Sequence, residues 1–406
     1  MNIAQIWKDD YPWDVRVEKT CKALIDDGHK VHLICRNIGK DKIRDEIDGI
    51  QIHRLYPFKN SLLNNLYSIV AFFNPVWIRK ICQVAKQEKI DILLVRDLPL
   101  VISALIVGKI FTIPVIFDMA ENYPSMWKEH VDRRGAKFIN HLLKNPTIAT
   151  LMENYVIKKV DHIIVVVEES KDRLMKKGVS GKKISIVSNT PDLAIFNKPL
   201  LDTEEKFPGK FKMLYVGYVN GGRGLDTVIK AIPLIMEQLP DFHLVIAGDG
   251  EYLDDLKNMS LELGVGEHVS FLGWIDSKLV PAYIYSSDVC VVPHDATEFV
   301  NTTVPNKIFD YMACRKPIIV SNAAPLERIV KETDCGLVFN SRDVRDFADK
   351  VLVLQDPSIR EKKGENGFEA IKSKYNWTRD AQILKNIFKN NPPSVNQSPR
   401  PVAHPL

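Results

Sequence analysis

Short apolar runs alternate with longer amphipathic ones along most of this chain, and the alternation starts twice. Asn2–Trp7 reads as a strand. Arg16–Asp27 reads as a helix with Val17, Cys21, Leu24 and Ile25 on one face, and Lys30–Arg36 is the next strand after Gly28 and His29. Further apolar runs lie at Ile92–Val95, Pro114–Phe117, His162–Val167 and Ile184–Val187, with helical stretches between them. Strands separated by helices return to their sheet in the parallel sense, and a parallel sheet is covered by helices on both faces. The pattern restarts with strands at Lys212–Val216, His243–Ala247, Val269–Leu272, Val289–Val292 and Pro317–Val320. Helices are expected at Leu225–Glu237, Glu251–Leu263, Asn306–Ala313 and Leu326–Glu332. The expected fold class is α/β, with two doubly wound Rossmann-like domains.

A chain of 406 residues is also too long for one ordinary core. Prolines 191, 199 and 208 cluster with Gly209 and charged residues, which sets the boundary within Asn189–Lys210. The first domain is expected over 1–190 and the second over 200–375. Helical stretches follow at Asp343–Asp356 and Arg360–Lys374. A last helix, Thr378–Lys389 within 376–389, follows Trp377. The tail 390–406 holds five prolines with Ser, Asn and Gln, and is expected to be disordered. Ligands of open α/β sheets bind outside the carboxyl ends of the strands, so a small ligand is expected in a cleft that the two domains share.

Net charge is +4 and the isoelectric point about 8.5. That is too weak a bias for a nucleic-acid binder, but it suits an anionic ligand or an acidic membrane face. The six cysteines form no C-x-x-C pair and read as core residues of a reducing compartment, so no metal site or disulfide framework is expected. Met1 leads directly into the first strand without a secretory leader, which points to a cytoplasmic protein. The uncharged stretch Asn60–Ile78 carries Leu62, Leu63, Leu66, Tyr67, Ile69, Val70 and Phe73 at helical spacing, followed by Trp77 and Arg79. It reads as a helix pair of the first domain. The alternative is peripheral contact with the inner membrane surface.

Four places carry chemistry. Leu214–Leu225 is a strand, a turn with Gly217, Gly221, Gly222 and Gly224, and a helix. Such glycines let backbone N–H groups approach a phosphate, and Arg223 stands where it could fork onto phosphate oxygens; the alternative is a tight turn with a solvated arginine. Gly248, after the next strand, reads first as a turn glycine. The strand end Phe271–Ile275 brings Trp274 and Ile275, which could meet a planar base or belong to the core. In Thr302–Ala313, Pro305 or Asn306 opens a helix after a polar loop containing Thr302 and Thr303. Lys307 could touch a phosphate, and Asp310, one turn in, could accept hydrogen bonds from hydroxyls. The bland reading is a capped helix with a dipole-stabilised acid. His294 and His130 read as surface or supporting groups.

Together these segments resemble the donor domain of family 4 glycosyltransferases, which have the GT-B fold. Arg223 matches the lysine of that family's phosphate turn, and Asp310, followed by Tyr311, Met312 and Ala313, matches the second acid of its Glu-x7-Glu motif. The chain departs from the pattern at Tyr218, where the family has arginine, and at Thr302, where it has the first acid. Pro305-Asn306-Lys307 ahead of this helix and Arg315–Ser321 after it resemble one branch of the family. In the first domain, Asp14–Val17 and Gly28–Val31 resemble the family's first loop, helix and second strand. Ile116–Pro124 resembles its Asp-x-His-Glu-x-Tyr-Pro segment, with Ala120 where the family has histidine. The resemblance covers nearly the whole chain, and Trp377 with its helix resembles the helix that crosses back onto the first domain.

The resemblance implies a retaining, metal-independent enzyme that moves a sugar from a nucleotide-diphosphate sugar, UDP-sugars first, to a glycan or lipid-linked acceptor in cell-surface polysaccharide synthesis. The nucleotide-sugar is then a substrate, and no cofactor is expected. Glu121, Arg223, Lys307 and Asp310 are implied for catalysis. Gly217, Gly222, Gly248, Trp274, Ile275, Thr302, Thr303, Pro305 and Asn306 join Arg223, Lys307 and Asp310 on the donor, and Asp14, Arg16, Asp118 and Glu121 fall on the acceptor side. With the family histidine absent, Glu121, Asn301, Thr302 or Thr303 would position the sugar. A nucleotide-sugar epimerase of the same fold, or a nucleotide-sugar-binding protein without turnover, are the other readings.

Overall fold

The computed structural model describes residues 1–12, 14–60, 63–64, 67–68, 70–132, 144–193, 196 and 211–390. The chain divides into two compact domains. Met1–Ser188 and the chain from Asp380 onward form one, and Asn189–Arg379 forms the other.

The first domain holds eight strands: β1 (Asn2–Ile6), β2 (Lys30–Cys35), β3 (Arg44–Ile47), β4 (Ile50–Arg54), β5 (Ile92–Arg96), β6 (Val115–Met119), β7 (His162–Val165) and β8 (Ile184–Ile186). Their order is β3-β4-β2-β1-β5-β6-β7-β8. All pairs are parallel except β3 with β4. That hairpin is absent from the reading of the sequence. Its two-residue turn is Asp48-Gly49, both at positive φ, which matches the right-handed twist of flanking strands. Three helices begin at an Asn-Pro or Asp-Pro pair, in which the first side chain caps and the proline takes the first turn: Pro75–Gln87, Pro146–Lys159 and, in the second domain, Pro357–Ser373. The first of these starts inside the stretch read as a helix pair. Leu62, Leu66 and Ile69 of that pair lie outside the described residues, as does the tail beyond 390. Among the described residues no helix is long and apolar enough to cross a membrane. Helix Trp377–Asn390 contributes buried Leu384, Ile387 and Phe388, and Phe388 lies against His29 of the first domain.

The second domain has β9 (Phe211–Val216), β10 (Phe242–Ala247), β11 (Val269–Gly273), β12 (Val289–Val292), β13 (Ile318–Ser321) and β14 (Gly336–Phe339). The order is β11-β10-β9-β12-β13-β14, all parallel. The sequence reading lacks β14, a short strand that enters at Gly336, where a Cβ would lie 1.9 Å from the Ile318 carbonyl oxygen. Strands β10, β12 and β13 are buried throughout, so they read as unbroken apolar runs. All six cysteines are free thiols, five of them buried.

Candidate functional site

Strand β9 has β10 on one side and β12 on the other, so the winding of the second sheet reverses there. At such a reversal the loops leaving the carboxyl ends diverge and leave a crevice. The turn after β9 is held by the loop after β10. Gly217 N donates to Ala247 O at 2.9 Å and Val219 N to Asp249 O at 2.9 Å. A Cβ on Gly248 would lie 1.9 Å from Gly217 O. Gly248 therefore serves the approach of two turns, as its first reading as a turn glycine expects. Asn220 accepts from Gly222 N at 3.0 Å, which curls the turn toward Gly224. Gly224 has φ of +67°, and a Cβ there would sit 2.0 Å from Pro293 O, just past β12.

Arg223, between these anchors, is half-buried, and its Nε has no hydrogen-bond partner among the described residues. Lys307 opens the short helix Lys307–Ala313. Its Nζ lies 3.7 Å from the centre of the Tyr215 ring, a cation–π contact. The same nitrogen would be 2.8 Å from a Cβ on Gly217, so the lysine head occupies the space that this glycine leaves. Burial, and then the charge of Arg223, holds the Lys307 amine well below the ordinary lysine range, while Asp310 pulls the other way. Tyr311 is buried, and its hydroxyl accepts the Val216 N–H at 2.9 Å. That bond closes the end of β9, whose ladder with β12 has stopped at Leu214. Tyr311 thus clamps this helix to the end of β9.

His294 is the residue that the sequence reading undervalued. It is 1% exposed, not a surface group, and neither ring nitrogen has a partner among the described residues. Burial first, then Arg223 and Lys307, pushes its pKa well below that of an ordinary histidine. A lone histidine after a strand carries no local signal; its neighbours come from segments about 70 residues upstream and a short way downstream.

The other residues expected on the donor side have these surroundings. The Thr302 hydroxyl donates to Phe299 O at 2.9 Å inside its own turn. Asn301 accepts Ala324 N at 2.8 Å and so tethers the following helix. Pro305 and Thr303 are half-buried, Asn306 is exposed, and Trp274 is 74% exposed beside half-buried Ile275. Tyr218, in place of the family arginine, bonds Glu251 through its hydroxyl.

In the first domain, Arg16 and Asp118 are a correction to the expected acceptor side. They are 3% and 1% exposed and form a two-point ion pair, Nε to Oδ2 at 3.0 Å and Nη2 to Oδ1 at 2.6 Å, while Arg16 Nη1 donates to Val187 O at 3.0 Å. The second residue of the helix Val15–Asp26 points inward under β6, where helical periodicity alone reads as a surface position. Asp14 caps that helix through Val17 N and pairs with Arg96. Half-buried Glu121 follows β6. Near it, Lys8 reaches Asp97 at 3.2 Å and the hydroxyl of Tyr123, the tyrosine of the Ile116–Pro124 segment, at 2.8 Å; Lys8 and Asp97 are absent from the sequence reading. The sequence also gave no hint that His32, His53 and Glu88 lie within 4.8 Å of one another; the two imidazoles meet at 3.1 Å.

Comparison with known proteins follows this division. Residues 14–194 match the model described as Glycosyltransferase Family 4, and residues 198–370 the model described as Glycosyl transferases group 1. A Methanocaldococcus jannaschii protein named as an uncharacterized glycosyltransferase is 30% identical over 178 residues, 44% of each chain. The UDP-Gal:alpha-D-GlcNAc-diphosphoundecaprenol alpha-1,3-galactosyltransferase of Escherichia coli is 23% identical over 371 residues, 88% of each chain. For several relatives the matched stretch spans only about half of their length, from 44% to 64%. Among solved structures, sucrose-phosphate synthase from Thermosynechococcus elongatus superposes with a TM-score of 0.76 at 19% identity, covering 96% of this chain and 98% of that one. Anabaena HepE in complex with UDP-glucose gives 0.69 at 15% identity, covering 96% and 100%. These likenesses are of fold.

Proposed function

Because the chain belongs to the glycosyltransferases, with a family 4 domain followed by a group 1 domain and the GT-B fold of its structural neighbours, we propose that it moves a sugar from a nucleotide-diphosphate sugar to a glycan or lipid-linked acceptor. The observation that carries this reading is the pairing of Arg223 with Lys307 at the winding reversal of the second sheet. Two cations share one crevice, and one of them is held below its ordinary pKa by burial and by the other. Such a pair is unfavourable when empty and is relieved by an anion with two charges. A diphosphate is that anion. As the sugar leaves, negative charge grows on the diphosphate, and Arg223 and Lys307 stabilise it where it develops. Asp310 accepts from hydroxyls of the donor.

Charge stabilisation by these two side chains needs no metal, and transfer proceeds with retention through an oxocarbenium-like state, attacked from the face that the diphosphate leaves. Glu121 serves the reacting sugar or the acceptor in place of the histidine that is Ala120 here. A UDP-sugar donor and a lipid-linked acceptor are supported by the printed name of the Escherichia coli relative, and the UDP moiety also by the ligand of the Anabaena structure. A lipid-linked acceptor puts the protein at the cytoplasmic face of a membrane.

A thermal-shift screen with UDP, GDP and their common sugar conjugates tests the proposal, since a ligand that binds only the folded state raises its melting temperature. UDP and one UDP-sugar are expected to raise it, and that sugar to transfer to one of a panel of lipid-linked glycans. A chain that no nucleotide stabilises or binds refutes the donor site. An isomerised donor formed without acceptor makes the protein an epimerase instead.

A further inference from the structure

We propose that His294 is a hydrogen-bond partner for the donor's diphosphate and that it takes up a proton when the diphosphate binds. The inference rests on the donor site proposed above and goes beyond it, because nothing in the family resemblance assigns this histidine a role.

The backbone fixes where the ring stands. Residues 293–295 run along Gly222–Gly224: Pro293 O lies against Gly224, and Asp295 N donates to Gly222 O at 3.2 Å. His294 O accepts from Ser321 Oγ at 2.5 Å, which ties this stretch to β13. The imidazole is buried beside Arg223 with both nitrogens lacking a partner among the described residues. A neutral imidazole has one donor and one acceptor, and buried polar groups are almost always satisfied. A buried ring with both functions idle, next to two cations, is a ligand position.

The charges that face it give the sign. Arg223 comes from the turn after β9 and Lys307 from the short helix, whose Asp310 acts on Lys307. Asp295 is next in the chain, with its carboxylate bonded to Arg342 at 2.8 Å. Burial first, and then the positive field of Arg223 and Lys307, keeps the ring neutral. A diphosphate on Arg223 and Lys307 offsets that field and sets negative oxygens beside the ring. One nitrogen then takes a proton from solvent and donates it in a hydrogen bond to a phosphate oxygen, and the proton returns to solvent when the diphosphate leaves. The bound form holds the proton more tightly than the empty form, so affinity falls as pH rises between the two pKa values, by up to about tenfold per pH unit for one proton. Lys307 contributes in the same direction, so its share has to be separated.

The test is calorimetric titration of the full chain with UDP-glucose and with GDP-mannose at pH 7 and 8, in two buffers of different ionisation heat. Neither diphosphate diester has a group of its own that titrates there on the phosphates. Proton uptake is expected in the unsubstituted protein, with up to one proton less in His294→Gln and a flatter pH dependence of its affinity. Equal uptake in the two proteins overturns the proposal. If the variant fails to fold, the labelled His294 imidazole is followed by NMR in the unsubstituted protein; a ring that stays neutral in the nucleotide-sugar complex overturns it equally. If neither nucleotide-sugar binds, the donor site itself falls. If one binds without charging His294, only this inference does.

Discussion

Replacing Arg223 by alanine separates a ligand-binding residue from a structural one, because the two readings predict opposite signs. The guanidinium is half-buried, its Nε lacks a partner among the described residues, and its charge depresses Lys307 and His294. Removing it breaks no interaction that anchors the turn, which is held by Asn220, Gly224 and the backbone bonds to Ala247 and Asp249. It also relieves a like-charge pair. The melting temperature of Arg223→Ala at pH 7 is therefore expected to be unchanged or higher. Nucleotide binding should weaken by about 1.5–3 kcal/mol, the range for a charged hydrogen bond, or roughly 10- to 150-fold in Kd. Calorimetry with UDP and differential scanning of the same samples read both quantities. A lowered melting temperature with unchanged UDP affinity refutes the reasoning, since it makes the arginine part of the scaffold. Lys307 supplies a second reading. Its pKa, lowered in the folded chain, makes stability rise with pH between that value and the unfolded one, and this slope should shrink in Arg223→Ala.

Three further outcomes follow from buried contacts. Tyr311→Phe leaves the half-buried Val216 N–H without its acceptor and is expected to cost about 1–2 kcal/mol while weakening UDP binding; an unchanged melt would remove the clamp from the account. Arg16→Ala strands a buried Asp118 carboxylate and is expected to cost about 3–5 kcal/mol, with far-UV unfolding of the first domain at lower urea as the readout. Burial raises the Glu153 pKa, but hydrogen bonds and charge from Arg173 and Lys177 outweigh it and hold it below the usual range. Its stabilisation is present above the unfolded pKa, about 4.3, and lost as pH falls through the folded value, so Glu153→Gln should flatten the acid limb of the stability curve.

What the sequence discloses depends on whether the interaction is local. Strand and helix positions emerged because β10, β12 and β13 are buried on both faces and so must be apolar without interruption. The glycine turn emerged because four glycines crowd between a strand and a helix. The Asp48-Gly49 hairpin was equally local, but its strands are short and mostly polar at the sheet edge, so no apolar period marked them. The site's chemistry is less local. Arg223 and Lys307 are 84 positions apart by their numbers, and only the resemblance joined them before the coordinates did. His294 had no motif to carry it. Arg16 and Asp118 misled for the converse reason: charged residues at strand and helix ends read as exposed, and only the fold reveals that each is the other's counter-ion. Thr302 and Asn301 likewise look available in a polar loop, but Thr302 is bonded to backbone within it and Asn301 to the start of a later helix.

The last helix has a consequence for synthesis. Leu384, Ile387 and Phe388 belong to the first domain, yet they follow the whole of the second in the chain. A ribosome delivers every residue of the second domain before it delivers this part of the first. Folding in order of emergence therefore leaves the surface that buries Leu384, Ile387 and Phe388, His29 included, uncovered until this helix arrives. A chain truncated after Arg379 keeps the whole second domain and should be more sensitive to protease in its first domain than in its second.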